Sequence, residues 1–221
     1  MEEVGRLWRG GRFPGPASAA ALYLEGRGYD RAGLEALASA DVMRELPTSL
    51  RSWPKWWTSR KAGRFPLASV LRELDGKPAA IHARAIDPAV EAEDGKTRSP
   101  YGLEIYGLWM MNAAAVEMVS GKSSPRRMLI VEGITNFWRC SSVAEELPVF
   151  GGISGSFRRL PKLPESVEVV FVATDTGDKD KKGDKYAHSV ESALKKQERG
   201  EAFARVPLPA GQDPDDLVRT R

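Results

Sequence analysis

The sequence predicts an α/β protein in which a parallel sheet flanked by helices fills the C-terminal half and a smaller α+β domain precedes it. Two unbroken apolar runs, Met128-Leu129-Ile130-Val131 and Val169-Val170-Phe171-Val172-Ala173, have the composition of strands buried on both faces. Each leads into helix-like sequence, ITNFWRCSSVAEE after the first and residues 186–198 after the second, so strand and helix alternate. Upstream, residues 67–71 and 79–86 flank Asp75-Gly76-Lys77 and predict an antiparallel hairpin. The polar, proline-broken stretch GKSSPRR at residues 121–127 marks the joint, giving domains of residues 1–122 and 123–221.

The remaining elements follow from local pattern. Ala20, Leu22, Tyr23 and Leu24 predict a short helix ended by Gly26-Arg27-Gly28, and Leu34 and Leu37 predict a second; both read as scaffold. Residues 89–94 read as a polar loop, followed by a small cationic loop, Gly95-Lys96-Thr97-Arg98-Ser99-Pro100. LWMMNAAAVEMVS, residues 108–120, predicts a helix with Met111, Ala114, Ala115 and Met118 on its core stripe. Residues 147–150 predict a strand, 151–155 a glycine-rich turn and 202–208 a last strand. That turn is no serine-hydrolase elbow, because Ser156 stands where the final glycine must be, and it does not fit a P-loop.

Composition narrows the chemistry. A chain of 221 residues that is 42% hydrophobic can form a real core. Its single cysteine, Cys140, excludes an internal disulfide framework and a thiolate zinc site, and fits a reducing compartment. Residues 1–11 lack an apolar signal core, and no apolar run reaches bilayer length, so the expectation is a soluble cytoplasmic protein with no membrane contact. A net charge of +3 makes the chain mildly basic, and the distribution is uneven. Residues 44–72 contain Arg51, Lys55, Arg60, Lys61 and Arg64 against one acid, Glu45, around Trp53-Pro54-Lys55-Trp56-Trp57. Cations interleaved with aromatics suit a single-stranded nucleic acid; the tryptophans themselves also read as core packing.

Carboxylates gather where the second apolar run ends, at Asp175, Asp178, Asp180 and Asp184. A calcium loop starting at Asp178 fails, because its fifth position is Lys182 and its twelfth is Ser189. Two readings stand for the segment alone: a solvated loop neutralised by Lys179, Lys181, Lys182 and Lys185, or carboxylates sharing a hard divalent cation. The first run ends directly in Glu132-Gly133, so Glu132 and Asp175 share one sheet edge if the strands are parallel neighbours. His82 and Arg84 fall on one face of their strand, and His82 reads as a half-buried strand histidine because no second histidine stands at metal-ligand spacing.

Three pieces in this order, strand-Glu132-Gly133, strand-Asp175 with further aspartates, and the closing Gly211-Gln212-Asp213-Pro214-Asp215-Asp216-Leu217-Val218, resemble the toprim domain of bacterial DnaG-type primases. Arg64-Phe65-Pro66, Asp75-Gly76, Arg84, residues 96–100 and Tyr106-Gly107-Leu108 are similar to the N-terminal part of the same catalytic core. Two departures stand out: Gly177 occupies the second position of the D-x-D motif, moving that role to Asp178 or Asp180, and Asn136 replaces a further acid. The cysteines of the preceding zinc-binding domain are missing, as is the helicase-contacting domain, so the chain reads as a bare catalytic core, from a mobile element or cut from a larger protein.

The resemblance implies a toprim-like catalytic domain and Mg²⁺ or Mn²⁺ held by Glu132, Asp175, Asp178 and Asp180, assisted by Asp213 and Asp215. Glu132, Asp175 and Asp178 would be catalytic, and Arg84, Lys96 and Arg98 would bind nucleotide phosphates. Arg51, Lys55, Arg60, Lys61 and Arg64 would hold the template. The activity implied is primer synthesis on single-stranded DNA from nucleoside triphosphates, with a replicative helicase as a partner. The rivals are a toprim nuclease using the same metals and a non-catalytic nucleic-acid-binding replication accessory protein.

Overall fold

The computed structural model describes residues 2–51, 53–153, 155–175, 182–209, 212 and 214. Among these, nine strands form one sheet of order β4-β3-β2-β5-β7-β6-β8-β9, with β1 beside β2. The strands are β1 (Arg44–Glu45), β2 (Leu67–Arg72), β3 (Pro78–Arg84), β4 (Thr97–Arg98), β5 (Trp109–Met111), β6 (Arg127–Glu132), β7 (Val149–Gly152), β8 (Val169–Ala173) and β9 (Phe203–Arg205). The helices are α1 (Glu2–Gly10), α2 (Ala19–Gly26), α3 (Arg31–Ser39), α4 (Ser59–Arg64), α5 (Pro88–Asp94), α6 (Ala113–Val119), α7 (Ile134–Val143) and α8 (Lys182–Lys196).

The predicted fold class holds. β7, β6, β8 and β9 are parallel, and every pairing from β5 to β4 is antiparallel. The sheet runs unbroken through both halves because β5 pairs with β7. Alternation along the strands sends side chains to opposite layers. From β6, Met128 and Ile130 pack with Val190 and Leu194 of α8, whereas Val131 packs with Phe137 and Trp138 of α7. A third cluster, with α1, α4 and Trp57, covers Ala68, Val70, Ile81 and Ala83 of the hairpin. Among the described residues, no helix is long and apolar enough to cross a membrane.

Four local expectations are corrected. Residues 108–120 are not one helix: Asn112 accepts from Ala115 N and so starts α6 at Ala113, which frees Trp109–Met111 to pair with β7. Residues 88–94 form α5 rather than a loop, since Asp87 caps its first turn and Pro88 opens it. Thr97 and Arg98 pair with β3 instead of forming an open loop. Gly151 and Gly152 belong to β7, where a Cβ would lie 2.6 Å from Phe137 Cβ at the first position and inside the Phe157 ring at the second. Their glycine content reflects two aromatic rings seated on the strand, not a turn.

Candidate functional site

β6 and β8 are parallel neighbours with Val131 opposite Ala173, so the chain delivers Glu132 and Asp175 side by side at the carboxyl edge. Gly133, at φ 81°, turns the backbone sharply into α7, and its N–H bonds to Gly152 O at 2.9 Å. Asn136, one turn into α7 and 3% exposed, donates its amide to Glu132 O at 2.8 Å and to Asp175 Oδ1 at 3.4 Å. The amide thus links the two acid-bearing segments without adding a third negative charge. On the far side of Asp175, buried Thr174 donates to Gly183 O at 2.8 Å. Gly183 of α8 sits so close that a Cβ would fall on the Asp175 carbonyl oxygen. Residues 175 and 183 therefore touch, which ties the start of α8 to the end of β8.

Glu132 and Asp175 form one wall of a cleft of about 650 Å³ whose other wall comes from the N-terminal half: Arg27, His82, Arg84, Lys96 and Thr97. Of the predicted phosphate-binding residues, the structure brings Arg84 and Lys96 into this cleft. Arg98 does not line it; it is exposed on the two-residue strand β4, where its half-buried neighbour Thr97 takes the cleft side. Arg84 donates to Tyr23 Oη at 3.0 Å, and Glu91 of α5 lies between the cations, 3.4 Å from Arg84 Nη2 and 3.6 Å from Lys96 Nζ. A carboxylate shared between two cleft-lining cations restrains both side chains beside the cleft.

Arg27 was missed by sequence reasoning, which read its glycine-flanked position only as a helix end. Arg139 of α7, 4% exposed, reaches across to it, donating to Arg27 O at 2.7 Å with its guanidinium 3.5 Å from the Tyr29 ring centroid. The helix that begins beside Glu132 therefore also clamps the turn that presents Arg27.

None of the five template-binding candidates lines the cleft. Arg64 is committed to Glu93, at 2.7 Å, and to Asp94; Lys61 donates to Trp56 O at 3.3 Å. Arg51, Lys55 and Arg60 are exposed. Trp57 is fully buried and Trp53 and Trp56 pack on the same cluster, so the core reading of these tryptophans holds.

His82 is more buried than a half-exposed strand residue, at 8% exposure, and pairs through Nδ1 with Ser99 Oγ at 2.8 Å. Burial, with help from the Arg84 charge, pushes its pKa down from 6.5 to about 4. It is neutral in the folded protein at pH 7. In the unfolded chain it binds a proton below about pH 6.5, so folded stability falls as pH drops from there toward 4 and levels off beneath. The expected loss is on the order of 3 kcal/mol over that window. Chemical denaturation at pH 7 and pH 4.5 should show this loss, and His82→Gln should flatten it; identical pH profiles for the two proteins would contradict the neutral, buried state.

The donor set suits a hard cation. Mg²⁺ is commonly held through one or two carboxylates together with substrate phosphates, and Glu132 and Asp175 supply that pair at a strand edge. Among the described residues no group of three acid, histidine or cysteine side chains converges. Asp178, Asp180, Asp213 and Asp215, the other predicted ligands, lie outside the described residues. A second cavity of about 680 Å³ between Phe13 and the α2–α3 pair is mainly apolar, and three of its four charged residues serve local ends: Asp30 caps α3 and Arg31 pairs with Glu35.

No protein-family model matches the sequence, and no curated protein does. Solved structures do match over nearly the whole chain. A DnaG primase catalytic domain bound to ssDNA aligns with TM-score 0.63 at 18% identity, covering 99% of this chain and 74% of that one. A DNA primase domain from Pseudomonas aeruginosa gives 0.64 at 18%, covering 98% and 73%. The primase fragment of the bacteriophage T7 primase-helicase gives 0.57 at 11%, covering 95% and 71%. At such identities the likeness establishes the fold: this chain is built as the DnaG-type primase catalytic core is built, as its motifs implied.

Proposed function

We propose that this protein is a primase-like catalytic core, a DNA-directed nucleotidyltransferase that makes primers on single-stranded DNA. The observation that carries this reading is the two-walled cleft, in which Glu132 and Asp175 face Arg27, Arg84 and Lys96. Mg²⁺ or Mn²⁺ held by the acidic wall would neutralise charge developing on the transferring phosphoryl group and make a 3′-hydroxyl a better nucleophile. The protein's own residues position the reactants. Arg84 and Lys96 exchange Glu91 for the polyphosphate of an incoming nucleotide, and Arg27 adds a third cation on the same wall. Asn136 keeps Glu132 and Asp175 in register. Asp178 or Asp180 would complete the ligand set. In this reading residues 1–122 handle template and nucleotide, and residues 123–221 carry the metal-dependent step.

A toprim nuclease would use the acidic wall alone, leaving the cationic wall without a task. Lys96 is the residue that separates the two, because its side chain is 70% exposed and its one ion pair among the described residues is with Glu91. Lys96→Ala should raise the nucleotide KM about tenfold, the value of one charge-assisted contact, with kcat little changed. Steady-state primer synthesis at varied nucleotide concentration measures this; an unchanged KM would remove Lys96 from nucleotide binding.

A further inference from the structure

We propose that the outer face of α8, together with Arg159 and Tyr106, is a second nucleic-acid track that takes the phosphodiester backbone of a single strand passing the acidic edge. The proposal deepens the primase reading, though it requires only that the chain bind single strands. Ala187, Val190 and Leu194 bury one face of α8, which leaves Ser189, Ser192 and Lys196, at helical spacing, on another. With His188 they form one side of a groove of about 620 Å³ whose other side is Tyr106 and Arg159, and among the described residues no acid lines it.

Arg159 is held in place by its backbone. Trp109 Nε1 donates to Arg159 O at 2.7 Å, and Arg159 N donates to Ser156 O at 3.0 Å. Its aliphatic stem lies on Gly107, at φ 76°, where a Cβ would come within 2.9 Å of Arg159 Cδ. Any other residue at position 107 would displace it. Other α8 side chains are paired: Glu191 lies 2.6 Å from Lys195 and 3.7 Å from His188, and Asp184 lies 2.5 Å from Arg205. Arg159 and Lys196, by contrast, make no ion pair among the described residues, so the groove presents two cations that no carboxylate holds directly. Tyr106, 41% exposed, adds an aromatic face. Cations, hydroxyls and one exposed ring are the groups that track a backbone and stack a base.

The groove lies next to the cleft along α8: Tyr186 lines the cleft and stacks on Phe157 at 4.4 Å, and the groove residues His188 and Ser189 stand two and three positions further on. Tyr106 packs on Gly155, three residues beyond the cleft residue Gly152. On the far side of Tyr106 and Arg159, Glu73, Asp75 and Glu104 line an adjoining cavity and would turn a polyanion back toward α8. From Ser189 to Lys196 the helix axis advances about 10 Å, which matches about three phosphates of a stacked strand.

The test is anisotropy of a fluorescent oligothymidylate across a salt series in EDTA, without nucleotides, on wild type, Arg159→Ala/Lys196→Ala and Tyr106→Ala, each checked for an unchanged Tm. The double variant should bind about tenfold more weakly and flatten the log–log salt slope by about 1.4, two phosphate contacts on a single strand. Tyr106→Ala should weaken binding with the slope unchanged, as loss of stacking does. An unaltered slope in the double variant, no binding by wild type, or displacement of the oligonucleotide by polyglutamate of equal charge would each overturn the proposal. Binding through the groove without primer synthesis would sink the function proposed above and leave the groove standing, and primer synthesis with an unaltered slope would do the reverse.

Discussion

Glu132→Gln is expected to abolish primer synthesis, lowering kcat/KM roughly 10³-fold, about 4 kcal/mol of transition-state stabilisation. The substitution keeps size and hydrogen-bonding capacity but removes one of the two described carboxylates at the acidic edge. Metal-free stability should not fall, because the change relieves like-charge repulsion with Asp175. The signature is therefore a split. Wild type should gain about 2.7 kcal/mol from Mn²⁺ at a hundred times its Kd, and Glu132→Gln little or none; Asp175→Asn should behave the same way. Thermal melting with and without Mn²⁺ reads this directly, and equal stabilisation of variant and wild type would take that carboxylate out of the site.

Gly183→Ala is expected to damage both fold and site. An added Cβ meets the Asp175 carbonyl oxygen, a backbone atom that cannot swing aside, so α8 or the end of β8 must move. Overpacking of this kind costs about 3 kcal/mol. Since the displaced segment carries Asp175, stabilisation by Mn²⁺ should weaken as well. Gly63→Ala is the matched control: Gly63 lies within α4 with nothing near its Cβ position, and alanine should leave stability unchanged or raise it by about 0.5–1 kcal/mol. Urea unfolding of the two variants makes the comparison. Equal stability for Gly183→Ala and wild type would contradict the close approach of α8 to Asp175.

What the sequence made legible is what depends on short-range pattern. Two unbroken apolar runs predicted buried strands, each leading to an acid, and the parallel pairing of β6 with β8 supplies the condition under which Glu132 and Asp175 share an edge. The hairpin was equally local. The misread elements are those where a distant group decides. Apolar periodicity favours a helix over residues 108–120, but Asn112 also accepts from Val149 N, and that contact with β7 fixes where strand ends and helix begins. Gly151 and Gly152 look like a turn until Phe137 and Phe157 are placed on them. Arg27 could enter the site only by a contact between residues 27 and 139, which no window of sequence contains. The basic stripe was visible as composition, but the partners that occupy Arg64, Glu93 and Asp94, come from a helix the sequence presented as a loop.

The most direct test of the central claim is the product that the wild-type protein makes from single-stranded DNA, labelled nucleoside triphosphates and Mg²⁺ or Mn²⁺. The two-walled cleft predicts new labelled strands complementary to an intact template, requiring metal and lost in Glu132→Gln. A shortened template without incorporated label, equally fast in Lys96→Ala, would contradict it and assign the acidic edge to phosphodiester cleavage; an untouched template with no incorporated label would contradict catalysis of either kind.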